Sequence, residues 1–107
     1  MPEINRLSQK KDFAVVFKSG KGVKGNFLIF KILKNNSNKL RVGFIVSKKV
    51  SNKATIRNKV KRRLRAAVLG ELKKNNLSAD IIVIALSGAR DRNILEIQKE
   101  ISKIFKS

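Results

Sequence analysis

LRVGFIVSKKVSNKATIRNKVKRRLR, Leu40 to Arg65, changes its apolar period partway along. Its first eight residues alternate, with Leu40, Val42, Phe44 and Val46 set against Arg41, Gly43, Ile45 and Ser47, the period of a strand. From Ile56 the period changes. Ile56, Val60, Leu64 and, just beyond, Val68 recur every four residues, which is one face of a helix. Nine of the eighteen residues from Lys48 to Arg65 are Lys or Arg, and none is acidic. A strand therefore leads into a helix that can pack along one stripe while staying cationic.

On a helical wheel the apolar stripe is Ile56, Val60, Leu64, Ala67 and Val68. Arg57, Lys61 and Arg65 form a ridge at its edge, with Asn58 and Arg62 beside them, and Lys59 and Arg63 lie on the opposite flank. Like charges four apart disfavour a helix, and Lys53 and Arg57 stand at the positive end of its dipole. Each cost is a few tenths of a kcal/mol, and bound phosphates would reverse its sign. Lys offers point charge, Arg a planar fork, and Asn58 a neutral donor and acceptor that could read a base edge or a ribose hydroxyl. A merely solvated face would interleave acids, and a membrane-surface helix would carry Trp and a bulkier apolar side. Ser51 or Asn52 can cap this helix, expected from about Thr55 to Lys74 with Asn75 and Asn76 ending it. Gly70 inside it costs about 1 kcal/mol relative to Ala.

Upstream, residues 1–7 read as an extended arm. Ser8 can cap a helix from about Gln9 to Ser19 that stops at Gly20, with Phe13, Val16 and Phe17 on one face. Phe13 and Phe17, four apart, can either stack on single-stranded bases or pack in the core. Gly20, Gly22 and Gly25 spell a G-x-G-x-x-G string, but it follows a helix and opens a strand, the reverse of a dinucleotide site, so a flexible loop is expected. Phe27 to Lys34 reads as a strand, and Val23 can begin another. Asn35 to Asn38 is a polar turn, so the strands on either side are expected to pair as an antiparallel hairpin. Downstream, Ala79 to Leu86 is almost unbroken apolar, a strand covered on both faces. Asp91 can cap a last helix with the stripe Ile94, Ile97, Ile101, Ile104 and Phe105. The order α-β-β-(β)-α-β-α implies a single small α+β sandwich spanning 1–107, with helices on a mixed four-stranded sheet.

Composition narrows the function. The net charge is +19 over 107 residues, and no Asp or Glu occurs from Phe13 to Gly70. The expected partner is a polyanion, most often nucleic acid. There is no cysteine and no histidine, hence no disulfide, zinc site, thiol nucleophile or imidazole base. The seven acids are scattered, and Ser47, Ser51 and Ser87 have no partner base in sequence. The chain alone is not expected to cleave RNA. It has no signal-peptide core and no apolar run that could span a bilayer, so a cytoplasmic protein without membrane partners is expected.

The run RVGFIVSKKVSNKATIRNKVKRRLRAA, Arg41 to Ala67, resembles the signature of the bacterial ribonuclease P protein component. That signature is a V-S-K-K strand exit, a small-residue turn, and an R-N-R helix start followed by K-R-x-x-R. RLSQKKDFAVVFKSG, from Arg6, is similar to the family's first helix. The resemblance implies an RNA-binding domain with a left-handed β-α-β crossover. It implies a subunit of ribonuclease P that binds the catalytic RNA and the 5′ leader of precursor tRNA, while the RNA and its Mg2+ ions remove the leader. It implies no cofactor on the chain and no DNA partner. Carried onto this chain, the RNA-facing residues are Lys48, Lys49, Arg57, Asn58, Lys59, Lys61, Arg62 and Arg65, with Lys53 beside them in the basic stretch. A leader-binding cleft would involve Phe13, Phe17 and Phe30 beside the Arg57 edge. Lys59, Ser51, Phe30 and Leu86 depart from the usual Arg, Gly, Tyr and Arg. A ribosomal-type structural RNA-binding protein is the alternative, and a DNA-coating protein a third class.

Overall fold

The computed structural model describes residues 4–7, 9–35, 39–72 and 78–106. In chain order these form β1 (Ile4–Arg6), α1 (Lys10–Ser19), β2 (Lys21–Lys24), β3 (Leu28–Lys34), β4 (Leu40–Val46), α2 (Ala54–Leu72), β5 (Ala79–Ala85), a 3-10 turn (Ser87–Ala89) and α3 (Ile94–Lys106). The sheet order is β1-β4-β5-β3-β2. β5 is parallel to β4 and antiparallel to β3. β2 to β5 make the expected mixed four-stranded sheet, though not in the expected order, and the three-residue β1 extends it, parallel to β4. Leu7 N–H continues that ladder to the Val42 carbonyl at 3.0 Å. Within the expected arm, Ile4–Arg6 is thus an edge strand.

β3 and β4 do not pair as a hairpin. They run in opposite directions, but β5 lies between them and bonds to both. β5 has apolar residues facing both sides of the sheet and buries nearly all of them, which only a central strand can do. β3 and β4 carry lysines and arginine and fit beside it.

The sheet has two unequal faces. α2 and α3 cover one, where Leu28, Phe30, Leu40, Val42, Ile81 and Val83 meet Val60, Leu64, Val68, Ile97 and Ile101. α1 covers the other with a smaller cluster of Leu7, Val16 and Ile82, flanked by Phe13, Leu33, Ile45 and Ile84. β4 feeds both: its even-numbered residues face α2, while Gly43 and Ile45 face α1. A Cβ on Gly43 would collide with the Phe13 ring and come within 3.1 Å of the Leu7 carbonyl. The missing side chain lets the ring lie on the strand.

Asp12, Arg41 and Asp80 tie α1 to the sheet. Arg41 Nε donates to Asp80 Oδ1 at 2.8 Å, and its Nη1 to Asp12 Oδ2 at 3.3 Å. Asn35 Nδ2 also donates to Asp80 at 2.8 Å.

Asp91 does not cap α3. Asn93 does, because its Oδ1 accepts the Glu96 N–H at 2.9 Å and Glu96 returns a bond to the Asn93 N–H, a reciprocal capping box. Ile94 leaves the stripe and is exposed, whereas Ile97 and Ile101 are buried. Ser51 lies three residues before α2, where its Oγ accepts the Lys53 N–H at 3.1 Å. The glycine string is no loop, since Lys21–Lys24 pair with β3. Gly25 is required by a close approach: the buried Glu100 carboxylate accepts the N–H groups of Asn26 at 2.7 Å and Phe27 at 3.0 Å, and a Cβ on Gly25 would lie 2.7 Å from Glu100 Cδ. Ser8 as a cap and Asn75 and Asn76 as a helix end lie outside the described residues.

Candidate nucleic-acid interface

α2 presents its charge as the wheel implies. Val60, Leu64, Ala67, Val68 and Leu72 are buried, so the residues between them must face outward. Asn58, Lys59, Arg62 and Arg65 are exposed, and Arg57 and Lys61 are half-buried along the edge towards the sheet. Lys48, Lys49 and Lys53 are exposed on the turn entering the helix. Buried Val50 anchors that turn, and its N–H donates to the Ser47 carbonyl at 3.0 Å. Arg57 Nη1 donates to the carbonyls of Ser51 and Asn52, both at 3.0 Å. Arg57 therefore shapes the loop that displays the three lysines.

The ridge borders a groove. Arg6, Leu7, Phe13, Val42, Gly43, Phe44, Lys61 and Arg65 line a cavity of about 150 Å³ where β1 and β4 meet α2. The Arg65 guanidinium lies 5.9 Å from the centre of the Phe44 ring, a cation–π contact. Three cations thus converge on a depression walled by two aromatic rings. Sequence reading did not find Arg6 or Phe44. Phe44 sat on the strand's core face, and nothing in an isolated arm signalled that β1 would bring Arg6 alongside β4.

The three cleft phenylalanines do not share one site. Phe13 lines the groove, and Phe17 is 41% exposed on α1. Phe30 is 0% exposed on the opposite face of the sheet, edge-to-face with Phe105 at 5.4 Å between centroids. Its place in the cleft is corrected: a β3 residue in register with Val83 points towards α3, away from α1.

Arg63, across the helix, donates from Nη1 to the carbonyls of Arg90 at 2.9 Å and Arg92 at 3.2 Å. Among the described residues no three acidic side chains converge as a metal site would require. Asp12 and Asp80 are engaged by Arg41.

A basic α+β domain with a cationic ridge and an aromatic-walled groove is a nucleic-acid-binding protein by its physical make-up. Comparison with known proteins narrows this. The family model described as Ribonuclease P matches residues 1–107. The ribonuclease P protein component of Alkaliphilus oremlandii is 40% identical over 106 residues, covering 99% of this chain and 92% of the relative. That of Staphylococcus epidermidis is 37% identical over 107 residues, covering 99% and 91%. Among solved structures, the Staphylococcus aureus RNase P protein superposes with a TM-score of 0.81 at 33% identity, covering 94% and 92% of the two chains. The Thermotoga maritima RNase P protein superposes with a TM-score of 0.83 at 26% identity, covering 95% and 96%. The chain belongs to the ribonuclease P protein family. Proteins of this family are the tRNA-processing subunit of the ribonuclease P endoribonuclease, in which the RNA is the catalyst.

Proposed function

We propose that this chain binds the RNA subunit of ribonuclease P through the exposed face of α2 and its entry turn, and holds the 5′ leader of precursor tRNA along the groove beside the ridge. The observation that carries this is the convergence of Arg6, Lys61 and Arg65 with Phe13 and Phe44 around one depression. Cations there neutralise leader phosphates, and ring faces accept unpaired bases. Lys48, Lys49, Lys53, Asn58, Lys59 and Arg62 face outward and are free to meet a larger RNA surface. Phe17 extends the apolar path along α1. Phe30 supports the fold from the other face. Magnesium belongs with the RNA, whose phosphates are the natural ligands of a hard cation. The protein acts by position: a leader held away from the scissile bond brings the cleavage site to the RNA's catalytic centre. The cytoplasm is the compartment that suits this work.

The test is reconstitution with a bacterial ribonuclease P RNA at low magnesium, following 5′ cleavage of precursor tRNAs with graded leaders. Stimulation that grows with leader length is expected. Replacing Lys61 and Arg65 by Ala should remove that dependence and lower the salt slope of binding by roughly 0.7–0.9 per lost phosphate contact. Phe17→Ala should weaken long-leader substrates selectively. Equal stimulation of leaderless and long-leader substrates would remove the groove from the reaction.

A further inference from the structure

A second basic surface lies across α2, built from residues outside the proposed contact. Both bonds of Arg63 to the Arg90 and Arg92 carbonyls leave from Nη1, so the guanidinium is fixed while Nε and Nη2 are unbonded among the described residues. Arg92 is fixed as well: Nη1 donates to Glu96 Oε2 at 2.9 Å, Nε to the Gly88 carbonyl at 3.3 Å, and its Cζ lies 5.1 Å from the centre of the Phe27 ring. Together with Arg90 they border an open groove of about 700 Å³. Its wall includes Ile94, 40% exposed, and Leu95, 69% exposed, two large apolar side chains on an otherwise polar surface.

The chemistry points to one class of occupant. A guanidinium already held in place loses little freedom when it binds a phosphate, and its fork geometry suits one. Glu96 is engaged by Arg92, which leaves Asp91 as the carboxylate opposing an anion in the groove. Apolar side chains next to fixed cations match a nucleotide, whose phosphate is anionic and whose base is flat and weakly hydrated.

We propose that this groove is a second RNA contact, in which a phosphate sits on the guanidinium groups of Arg63 and Arg90 and an unpaired base lies against Ile94 and Leu95. The proposal rests on the reading of the chain as an RNA-binding subunit and adds a separate site to it. RNA touching both flanks would straddle α2, whose width with side chains is about 10–12 Å.

Binding of the full chain to a bacterial ribonuclease P RNA, measured by anisotropy over a range of salt, tests this. Arg90→Ala keeps the carbonyl that Arg63 uses, and Leu95→Ser alters an exposed position, so both variants should melt like the parent. Arg90→Ala should weaken binding about three- to tenfold and lower the salt slope by roughly 0.7–0.9. Leu95→Ser should weaken it about fivefold or more with the slope unchanged. Asp91→Asn should tighten it. Lys103→Ala, an equal charge loss on α3 outside the groove lining, should change binding less than Arg90→Ala. If Arg90→Ala merely matches Lys103→Ala and Leu95→Ser binds like the parent, the groove proposal fails, while loss of binding in the Lys61 and Arg65 variants would leave the first interface standing. Loss in the groove variants alone would sink the ridge and keep the groove. If Leu95→Ser only turns a dimer into a monomer in sedimentation, the surface joins copies of this chain and the proposal is overturned.

Discussion

Asp80 shows how one carboxylate can hold the arginine that ties a helix to the sheet. Burial pushes its carboxyl pKa up, but hydrogen bonds from Arg41 and Asn35 and the Arg41 charge more than offset this and hold it below the usual carboxylate value. Arg41 is pushed the other way, chiefly by its hydrogen bond to Asp80. A carboxyl depressed by folding adds stability that is complete above its unfolded pKa, about 3.9, and is lost as pH falls through the lower folded value. Urea unfolding should therefore show stability falling below about pH 4, with Asp80 as one contributor. Asp80→Asn should cost about 1–3 kcal/mol at neutral pH and flatten that acid limb. An unaltered limb in the variant would show that Asp80 is not among its causes. At this scale the sequence was ambiguous in an instructive way. Phe13, Phe17 and Phe30 are chemically identical; Phe30 is core because of the way β3 faces in register with β5, and Phe13 differs from Phe17 because α1 lays the Phe13 ring on Gly43 of β4.

At the scale of elements, α2 was legible because its apolar stripe and charged flanks obey one period. Its glycine is its weak point. Gly70 is exposed within the helix, and an added Cβ would meet only the amide end of Gln98 at 3.0 Å. That flexible side chain can move aside. Gly70→Ala should therefore raise stability by about 0.5–1 kcal/mol, read as a higher urea midpoint at unchanged m-value. A lower midpoint would mean that Gln98 cannot yield. The pairing of β3 and β4 was not legible, for a geometrical reason. Five residues, 35–39, join them, enough chain to reach about 17 Å. Two strand spacings need only about 10 Å. A connection of that length serves a hairpin or a jump over one intervening strand equally well, and only the apolar demand of β5 decides between them. The parallel addition of β1, which brings Arg6 to the groove, had no local signal either, since three residues carry no period.

For the whole molecule, the dominant quantity is the charge of +19. Such a charge repels itself in the compact state, and an anion that binds the folded chain stabilises it by mass action. Millimolar tripolyphosphate should raise the thermal midpoint, by about 2.7 kcal/mol of stability at a hundredfold excess over its dissociation constant. Sodium chloride at matched ionic strength should give a smaller rise. Equal rises would mean general screening rather than occupied sites. The helices, most of the strands and the cationic ridge of α2 could be read from patterning and resemblance. The second groove could not, because Arg63, Arg90 and Leu95 come from segments that only the packing of α3 against α2 brings together.

The order of synthesis adds a consequence. β5 is the last strand to be made and the middle strand of the sheet. Until Ala79–Ala85 exist, β3 and β4 have no shared neighbour, and α2 has only part of its floor. A growing chain therefore carries its whole cationic helix for some time before the fold that positions it can close. In a cell rich in RNA, the nascent protein meets its class of ligand before it has its final shape.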